Sequence, residues 1–308
     1  MARAPRVTEA YLKKLIKGGA GTGHGEDYRP FLEIRRWNPS PVSTQVVGGS
    51  TVPPFRRRGH FFSFSEWRLA LLYAWAGCWV REQLPMWSWA HPHPLIGYSK
   101  AAQDLPWSGG LWRLCRDSNI NHGYFPGTRI PYVWTIDLAL TLPWIEDPAQ
   151  ACTFVSVKPL QSEAYLYIDP LARGAEKLEV ERRYCALMGI HYFVGDRSLY
   201  PAQLLDNLDW LHKTAVLPIT HRLRHVLDSF LDRHAANMSQ EPPLEWRTLL
   251  ERDFSLSRHG ADYLIQHCLW NQLIDADLNR SIDLAQPLAP GGLGFRRAVQ
   301  SSLLREAI

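Results

Sequence analysis

The spacing of apolar positions predicts an alternation of helices and strands over roughly the first 196 residues, and helices almost throughout after that. Residues 7–18, VTEAYLKKLIKG, read as a short amphipathic helix closed by Gly18 and Gly19. Residues 63–77, SFSEWRLALLYAWAG, read as a second helix, opened by an S-x-x-E capping box of Ser63 and Glu66 and ended by Gly77. CWVREQLPMW then alternates into a strand carrying Arg81, Glu82 and Gln83. The stretch from Ala90 to Tyr132, rich in Pro, Gly, Trp and His, reads as an irregular excursion. YVWTIDLALTLPW (132–144) and ACTFVSVKP (151–159) read as a β-hairpin, with Asp-Pro in the turn IEDPAQ between them. EKLEVERRYCALMG (176–189) reads as a helix and IHYFVG (190–195) as a strand.

That order predicts a compact α/β domain over 1–196. The second unit, 197–308, is expected to be mainly helical. Helices run through QLLDNLDWLHK and THRLRHVLDSFLDRHAAN, and a third starts near Leu244. SRHGADYLIQHCLWNQLIDADL then resembles a helix leading into a short strand, a pattern that fits a winged-helix module. The tail from Ala285, with QPLAPGGLG, is expected to be loose.

Composition excludes more than it selects. With 46% apolar and 21% charged residues the chain has the make-up of an ordinary globular protein. No run of about 18 uninterrupted apolar residues is present, so no membrane span is expected. The start has basic residues but no continuous apolar stretch, so it does not read as a secretory signal. Five cysteines lie far apart without a C-x-x-C pair, which argues for reduced thiols rather than a disulfide framework or a zinc ribbon. The net charge of +4 says little, but residues 1–60 hold eleven Lys or Arg against four Asp or Glu. Arg56, Arg57 and Arg58 stand together there and are candidate contacts to a polyanion such as DNA; the alternative is a solvated basic segment. The Gly-rich stretch GGAGTGHGEDYRPFLEI invites comparison with a phosphate-binding loop. It has neither a preceding strand nor the terminal Lys-Ser/Thr of a P-loop, which argues against nucleotide binding.

The candidate chemistry lies in polar residues on apolar elements. Asp137 interrupts YVWTIDLALTL, and Lys158 ends the strand expected to pair with it. Charges there are costly unless paired or given a metal. An Asp137–Lys158 ion pair closing a sheet edge is the simplest account. Glu66 has a local role in the capping box, and Glu181 has one opposite Lys177, four residues earlier. The shared order is not explained by those roles: helix acid, strand acid, strand ending in lysine, helix acid. It is the order a metal-dependent phosphodiesterase needs, with hard oxygen ligands for Mg²⁺ or Mn²⁺ and a lysine beside the scissile phosphate.

The motifs GTGHGEDYRPFL (21–32), SEWRLALLYAW (65–75), REQLPM (81–86), TIDLAL (135–140), VSVKP (155–159), EKLEVERRY (176–184) and NLDWL (207–211) resemble those of the TnsA family. TnsA proteins are the endonuclease subunits of heteromeric cut-and-paste transposases. The resemblance implies a restriction-endonuclease-like catalytic domain, a mixed sheet flanked by helices, followed by a winged-helix-like domain. It implies hydrolysis at the 5′ ends of the transposon with Mg²⁺, for which Mn²⁺ could substitute. It also implies DNA, a TnsB-like transposase and a TnsC-like AAA+ regulator as partners, in the bacterial cytoplasm. Carried over by motif, the active-site acids are Glu66 and Asp137, the lysine is Lys158 and the outer acid is Glu181. The metal ligands would be Glu66, Asp137 and the carbonyl of Val157. Such nucleases usually have Glu, Asp or Gln two residues before the lysine. This chain has Ser156, which would reach a cation only through water; the consequence is either weaker metal occupancy or compensation by Glu181.

Two readings compete with an active nuclease in a transposition complex: a docking subunit that kept the fold and lost the chemistry, and a stand-alone nuclease. A zinc site drawn from HPHP (91–94), Cys115 and His122 fits no familiar spacing. Cys185, beside Arg182 and Arg183, reads as a buried structural thiol.

Overall fold

The computed structural model describes residues 7–34, 53–55, 57–160 and 173–304. A four-stranded mixed sheet, in the order β1-β2-β3-β4, carries the candidate site. Its strands are β1 (Trp79–Met86), β2 (Trp134–Thr141), β3 (Cys152–Val157) and β4 (His191–Gly195). β1 and β2 pair antiparallel, as do β2 and β3, whereas β3 and β4 run parallel. The parallel step needs a crossover between β3 and β4, and helix α4 (Arg173–Met188) lies in it.

The predicted helices form where their end signals stand. α1 (Glu9–Lys17) is capped by Thr8, whose side chain accepts the Tyr11 N–H. α2 (Phe64–Trp75) opens on Ser63, whose Oγ accepts the Glu66 N–H at 3.1 Å, the first arm of a capping box; the Glu66 carboxylate turns back to the Ser63 hydroxyl and the Phe62 N–H rather than to the Ser63 N–H. The excursion between β1 and β2 is irregular as expected, except for a short helix α3 (Leu111–Asp117). Among the described residues no helix is long and apolar enough to cross a membrane.

Two apolar layers sandwich the sheet. One is built around Met86, Phe154 and Ala139 with Val180, Tyr184 and Met188 of α4. The other begins with Leu69, Leu71, Leu72 and Trp75 of α2 against Leu138, Leu140 and Val155. This second layer continues without a break into the later helices α5 (Ala202–Leu211), α6 (Leu223–Met238), α7 (Pro243–Phe254) and α8 (Arg258–Asn271). Trp67 Nε1 donates to Asp209 at 2.9 Å, tying α2 to α5. The described helices after residue 197 therefore share one apolar layer with the helix that carries Glu66, and α5 packs directly on it.

Two expectations for this region fail. No strand follows β4 among the described residues, so the short strand expected after α8 has no counterpart, and of the winged-helix expectation only the helical part stands. α8 instead ends on Gln272 in the left-handed conformation (φ 53°), and the Gln272 side chain ties down the next turn by accepting the Ala276 N–H. The tail from Ala285 is not loose either, since Gly292–Ser302 forms a further helix, α9. Gln300 of α9 donates to the Ala76 carbonyl at 2.7 Å, and the Leu303 carbonyl accepts from Thr153 of β3. Gly292 is needed there for close approach, because a Cβ would meet the Ala276 carbonyl oxygen at 2.0 Å.

Candidate active site

β2 and β3 deliver the central pair. Asp137 lies within β2, and Lys158 follows the last residue of β3, its N–H still bonded to the Gly195 carbonyl of β4. The Lys158 ammonium donates to Asp137 Oδ2 at 2.8 Å and to the Val157 carbonyl at 3.0 Å. The Val157 N–H donates to the same carboxylate oxygen at 2.8 Å. Among the described residues Asp137 Oδ1 has no hydrogen-bond partner. The side chains of Lys158 and Asp137 are 18% and 14% exposed, so the pair is recessed yet open to a ligand. Burial alone would raise the Asp137 pKa, but Lys158, Lys177 and the Val157 N–H outweigh it and hold the carboxyl below its usual range.

Glu66 reaches this pair from α2. Its carboxylate accepts from the Phe62 N–H at 2.9 Å, from Ser63 Oγ at 3.1 Å and from Gln83 Nε2 at 3.2 Å. Burial, then repulsion from Asp137, pushes its pKa up to about 7, against the pull of the Phe62 and Ser63 donors and of Lys158. A buried acid whose charge is opposed by a neighbouring carboxylate marks a place where a cation is stabilising.

This has a measurable consequence for stability. A carboxyl with a raised folded-state pKa binds its proton more tightly folded than unfolded, so its contribution is fully present below about pH 4.5 and lost as pH rises through about 7. Ionising Glu66 in the folded chain costs up to roughly 3 kcal/mol, at 1.36 kcal/mol per pKa unit. Asp137, with its lowered pKa, acts in the opposite sense and only in the acid range. Thermal unfolding in divalent-free buffer should therefore show wild type losing stability between about pH 5 and pH 8. Glu66→Gln should flatten that slope; a slope unchanged by the substitution would place its origin elsewhere.

Ser156 and Glu181 form an adjoining cluster. Ser156 Oγ donates to Glu181 Oε2, Tyr192 Oη donates to the same oxygen at 3.0 Å, and Lys177 Nζ lies 3.4 Å from Oε1. Both Ser156 and Glu181 are buried. A carboxylate from α4 thus lies beside position 156, hydrogen-bonded to the serine hydroxyl. Lys177 links the clusters. Burial lowers its pKa, but Glu181 and Asp137 together raise it, so the ammonium serves both acids.

The sequence reading did not single out Gln83 as a site residue. It falls between the pairs Glu82↔Leu138 and Leu84↔Ile136, which sets it opposite Asp137. It adopts φ 52°, a backbone conformation costly for a side chain with a Cβ. Thr135 Oγ1 donates to its Oε1 at 2.8 Å, which turns its amide N–H toward Glu66. The available signal was its place in the motif REQLPM together with strand alternation.

Of the arginine triple, Arg56 lies outside the described residues and Arg58 is exposed. Arg57 faces inward, forming a two-pronged ion pair with Glu82 at 2.8 and 2.6 Å and donating to the Val80 carbonyl. The residues of the zinc pattern do not gather. His91 bonds Tyr184 and the Trp89 carbonyl, His122 bonds the Gly123 carbonyl, and Cys115 is buried in the core. Burial pushes the Cys185 thiol well above its ordinary pKa, as expected of a structural cysteine.

Among the described residues no three His, Cys, Asp or Glu side chains converge on one point. The donor set to weigh for a metal is therefore Asp137, Glu66 and the Val157 carbonyl. Two of these oxygens already meet on one positive charge, the Lys158 ammonium, at 2.8 and 3.0 Å. All three are hard oxygen donors of the kind that Mg²⁺ takes, and water can complete such a set. The residues fit the ion.

No family model matches the chain. A curated relative, the Transposon Tn7 transposition protein TnsA of Escherichia coli, is 24% identical over 273 residues, covering 83% of this chain and 84% of that protein. The chain is thus similar to that TnsA protein over most of both lengths.

Proposed function

We propose that the chain is the endonuclease subunit of a transposase, hydrolysing phosphodiester bonds at the 5′ ends of a transposon with Mg²⁺. The reading takes transposition from the TnsA relative and chemistry from the site. One observation carries it above the rest: the Lys158 ammonium is held between Asp137 Oδ2 and the Val157 carbonyl at the open end of a sheet. The four-stranded mixed sheet flanked by helices is consistent with an endonuclease-like fold.

Each residue then has a task. Asp137, Glu66 and the Val157 carbonyl would hold the divalent ion, which when bound neutralises phosphate charge and acidifies water. Lys158, displaced from Asp137 by a few ångströms of side-chain movement, donates to a non-bridging oxygen of the scissile phosphate as negative charge builds there. Gln83 and Ser63 keep the Glu66 carboxylate turned inward. Glu181, set by Ser156, Tyr192 and Lys177, provides the outer negative charge that balances the two ammonium groups. Water adds to phosphorus, and the P–O bond to the departing deoxyribose oxygen breaks.

Cleavage of DNA bearing the transposon ends, with the partner transposase and regulator present, tests the reading. Cuts at the 5′ ends should appear in Mg²⁺ or Mn²⁺ and vanish in chelator. Equal cutting in chelator would overturn the metal-dependent assignment.

A further inference from the structure

Two ammonium groups serve the site, each on its own partner. Lys158 donates to Asp137 Oδ2 and the Val157 carbonyl, whereas Lys177 Nζ lies 3.4 Å from Glu181 Oε1. The acids they answer are neighbours. The antiparallel register of β2 and β3, with Ala139 facing Phe154 and Leu138 facing Val155, sets Asp137 opposite Ser156. Residues opposed in this way share a face of the sheet, with Cβ atoms about 4.5–5.5 Å apart. That face packs on α4, since Ala139 and Phe154, the next residues along on the same side, lie in the layer with Val180 and Tyr184. Ser156 Oγ donates to Glu181 Oε2, which brings Glu181 to the residue facing Asp137. Lys177 comes from the same helix, one turn earlier.

A second divalent ion would need a place beside Asp137. Paired ions in phosphodiester chemistry lie about 3.5–4 Å apart, close enough for one carboxylate to bridge them, and each needs further oxygen ligands. Asp137 Oδ1, without a hydrogen-bond partner among the described residues, is free to begin such a set. The residues on the α4 side do not complete it. Ser156 commits its hydroxyl hydrogen to Glu181. The Glu181 oxygens are occupied in turn, Oε2 by Ser156 and Tyr192 and Oε1 by Lys177. At 1% exposure that carboxylate is neutralised by the Lys177 ammonium rather than by ions from solvent. The charge of Lys177 also acts on Asp137, where it helps to keep the carboxyl ionised.

We infer that the Lys177 ammonium, paired with Glu181 beside Asp137, takes the place of a second divalent ion, so that the site holds one ion only. The inference rests on the nuclease reading and narrows it to single-ion chemistry, with Lys177 as a positioning residue. Charge points the same way. With all groups ionised, Asp137, Glu66 and Glu181 against Lys158 and Lys177 leave one net negative charge. One divalent ion and one phosphodiester then bring the site to neutrality. A second ion would leave two positive charges uncompensated in a recess, where unpaired charge is costly.

The test counts ions without any cleavage. The full chain, freed of metal, is titrated with Mn²⁺ above pH 7, where Glu66 is ionised, and followed by calorimetry and electron paramagnetic resonance. Wild type should bind one Mn²⁺ per chain, with the spectrum of an isolated ion. Lys177→Met frees Glu181 Oε1 and should bind two, with the spectrum of a coupled pair at about 3.5–4 Å. Adding Glu181→Gln to Lys177→Met should return the count to one. Lys158→Met should tighten the single ion without adding another. Lys177→Gln keeps a donor for Glu181 but not the charge; it should also bind two, and it decides the matter if Lys177→Met does not fold. Two ions in wild type overturn the inference and leave the nuclease reading standing. So does a count of one in both Lys177 variants, shown by circular dichroism to be folded, or a second ion gained equally by Lys158→Met. No ion bound by wild type or any variant overturns the metal-dependent reading, and the inference with it.

Discussion

Lys158→Met is expected to weaken cleavage and strengthen cation binding at the same time. The Lys158 ammonium occupies the space between Asp137 Oδ2 and the Val157 carbonyl, where the proposed divalent ion would sit. Removing it leaves Asp137 Oδ2 with the Val157 N–H alone, takes the ammonium off the Val157 carbonyl and relieves like-charge repulsion. Relief of even about 1.4 kcal/mol raises the affinity for Mg²⁺ or Mn²⁺ roughly tenfold. Cleavage should nevertheless fall by roughly 10²–10³-fold, the usual effect of removing a donor aimed at charge that builds in the transition state. Methionine keeps the length and apolar stem of the side chain, and Lys177 still balances Asp137. Calorimetric titration with Mn²⁺ and a gel-based cleavage assay read the two effects separately. A simple structural ion pair would instead give lower stability with no gain in cation affinity.

Asp137→Ala should have the larger effect on chemistry. Asp137 Oδ2 receives both the Val157 N–H and the Lys158 ammonium, so one carboxylate sets the end of β3 and the position of the lysine. Its loss removes a proposed metal ligand and the group that orients Lys158. Cutting should fall by at least about 10³-fold. The substitution also leaves Lys158 without its partner, at a cost on the order of 1–3 kcal/mol. Asp137→Asn is therefore the informative companion, since its carbonyl can still accept the Val157 N–H while its charge is gone. Both variants should assemble with their partners, as judged by size-exclusion chromatography. Loss of assembly along with cutting would make Asp137 structural.

The parts of this arrangement that were legible in the sequence have local signals. Ser63 and Glu66 are three residues apart, and Ser63 caps the helix through the Glu66 N–H as read, while the carboxylate bonds the Ser63 hydroxyl and the Phe62 N–H. Pro159 after Lys158 marks the end of β3, and the Asp-Pro turn marks the hairpin. Lys177 and Glu181, four residues apart on one helix, do pair. What was missed depends on contacts distant in sequence. Arg57 looked like one of three surface cations, yet its partner Glu82 is 25 residues away and buried with it. Gln83 has no local mark as a site residue, and its role emerges only when Thr135 and Glu66 close around it.

The tail shows the same limit from the other side. Its Pro and Gly content suggested a loose end, but Gly292 is where α9 passes within van der Waals reach of the Ala276 carbonyl, and Gln300 anchors the helix to Ala76. The apolar run after α8 looked like a strand. Gln272 turns it instead, by a side-chain bond that no hydrophobic pattern encodes. For Ser156 the sequence left two outcomes open, weaker metal occupancy or compensation by Glu181. Placed against Glu181, it holds a carboxylate brought in from α4.

Strand-resolved cleavage of a plasmid carrying the transposon ends tests the account most directly. Wild type and Asp137→Ala would be compared in Mg²⁺ with the cognate transposase and regulator present. The account predicts 5′-strand cuts with wild type and only the partner's 3′ nicks with the variant. Identical 3′ nicks from both, with the complex shown to assemble, would contradict it: the chain would then be a docking subunit, and Lys158 and Asp137 only an ion pair.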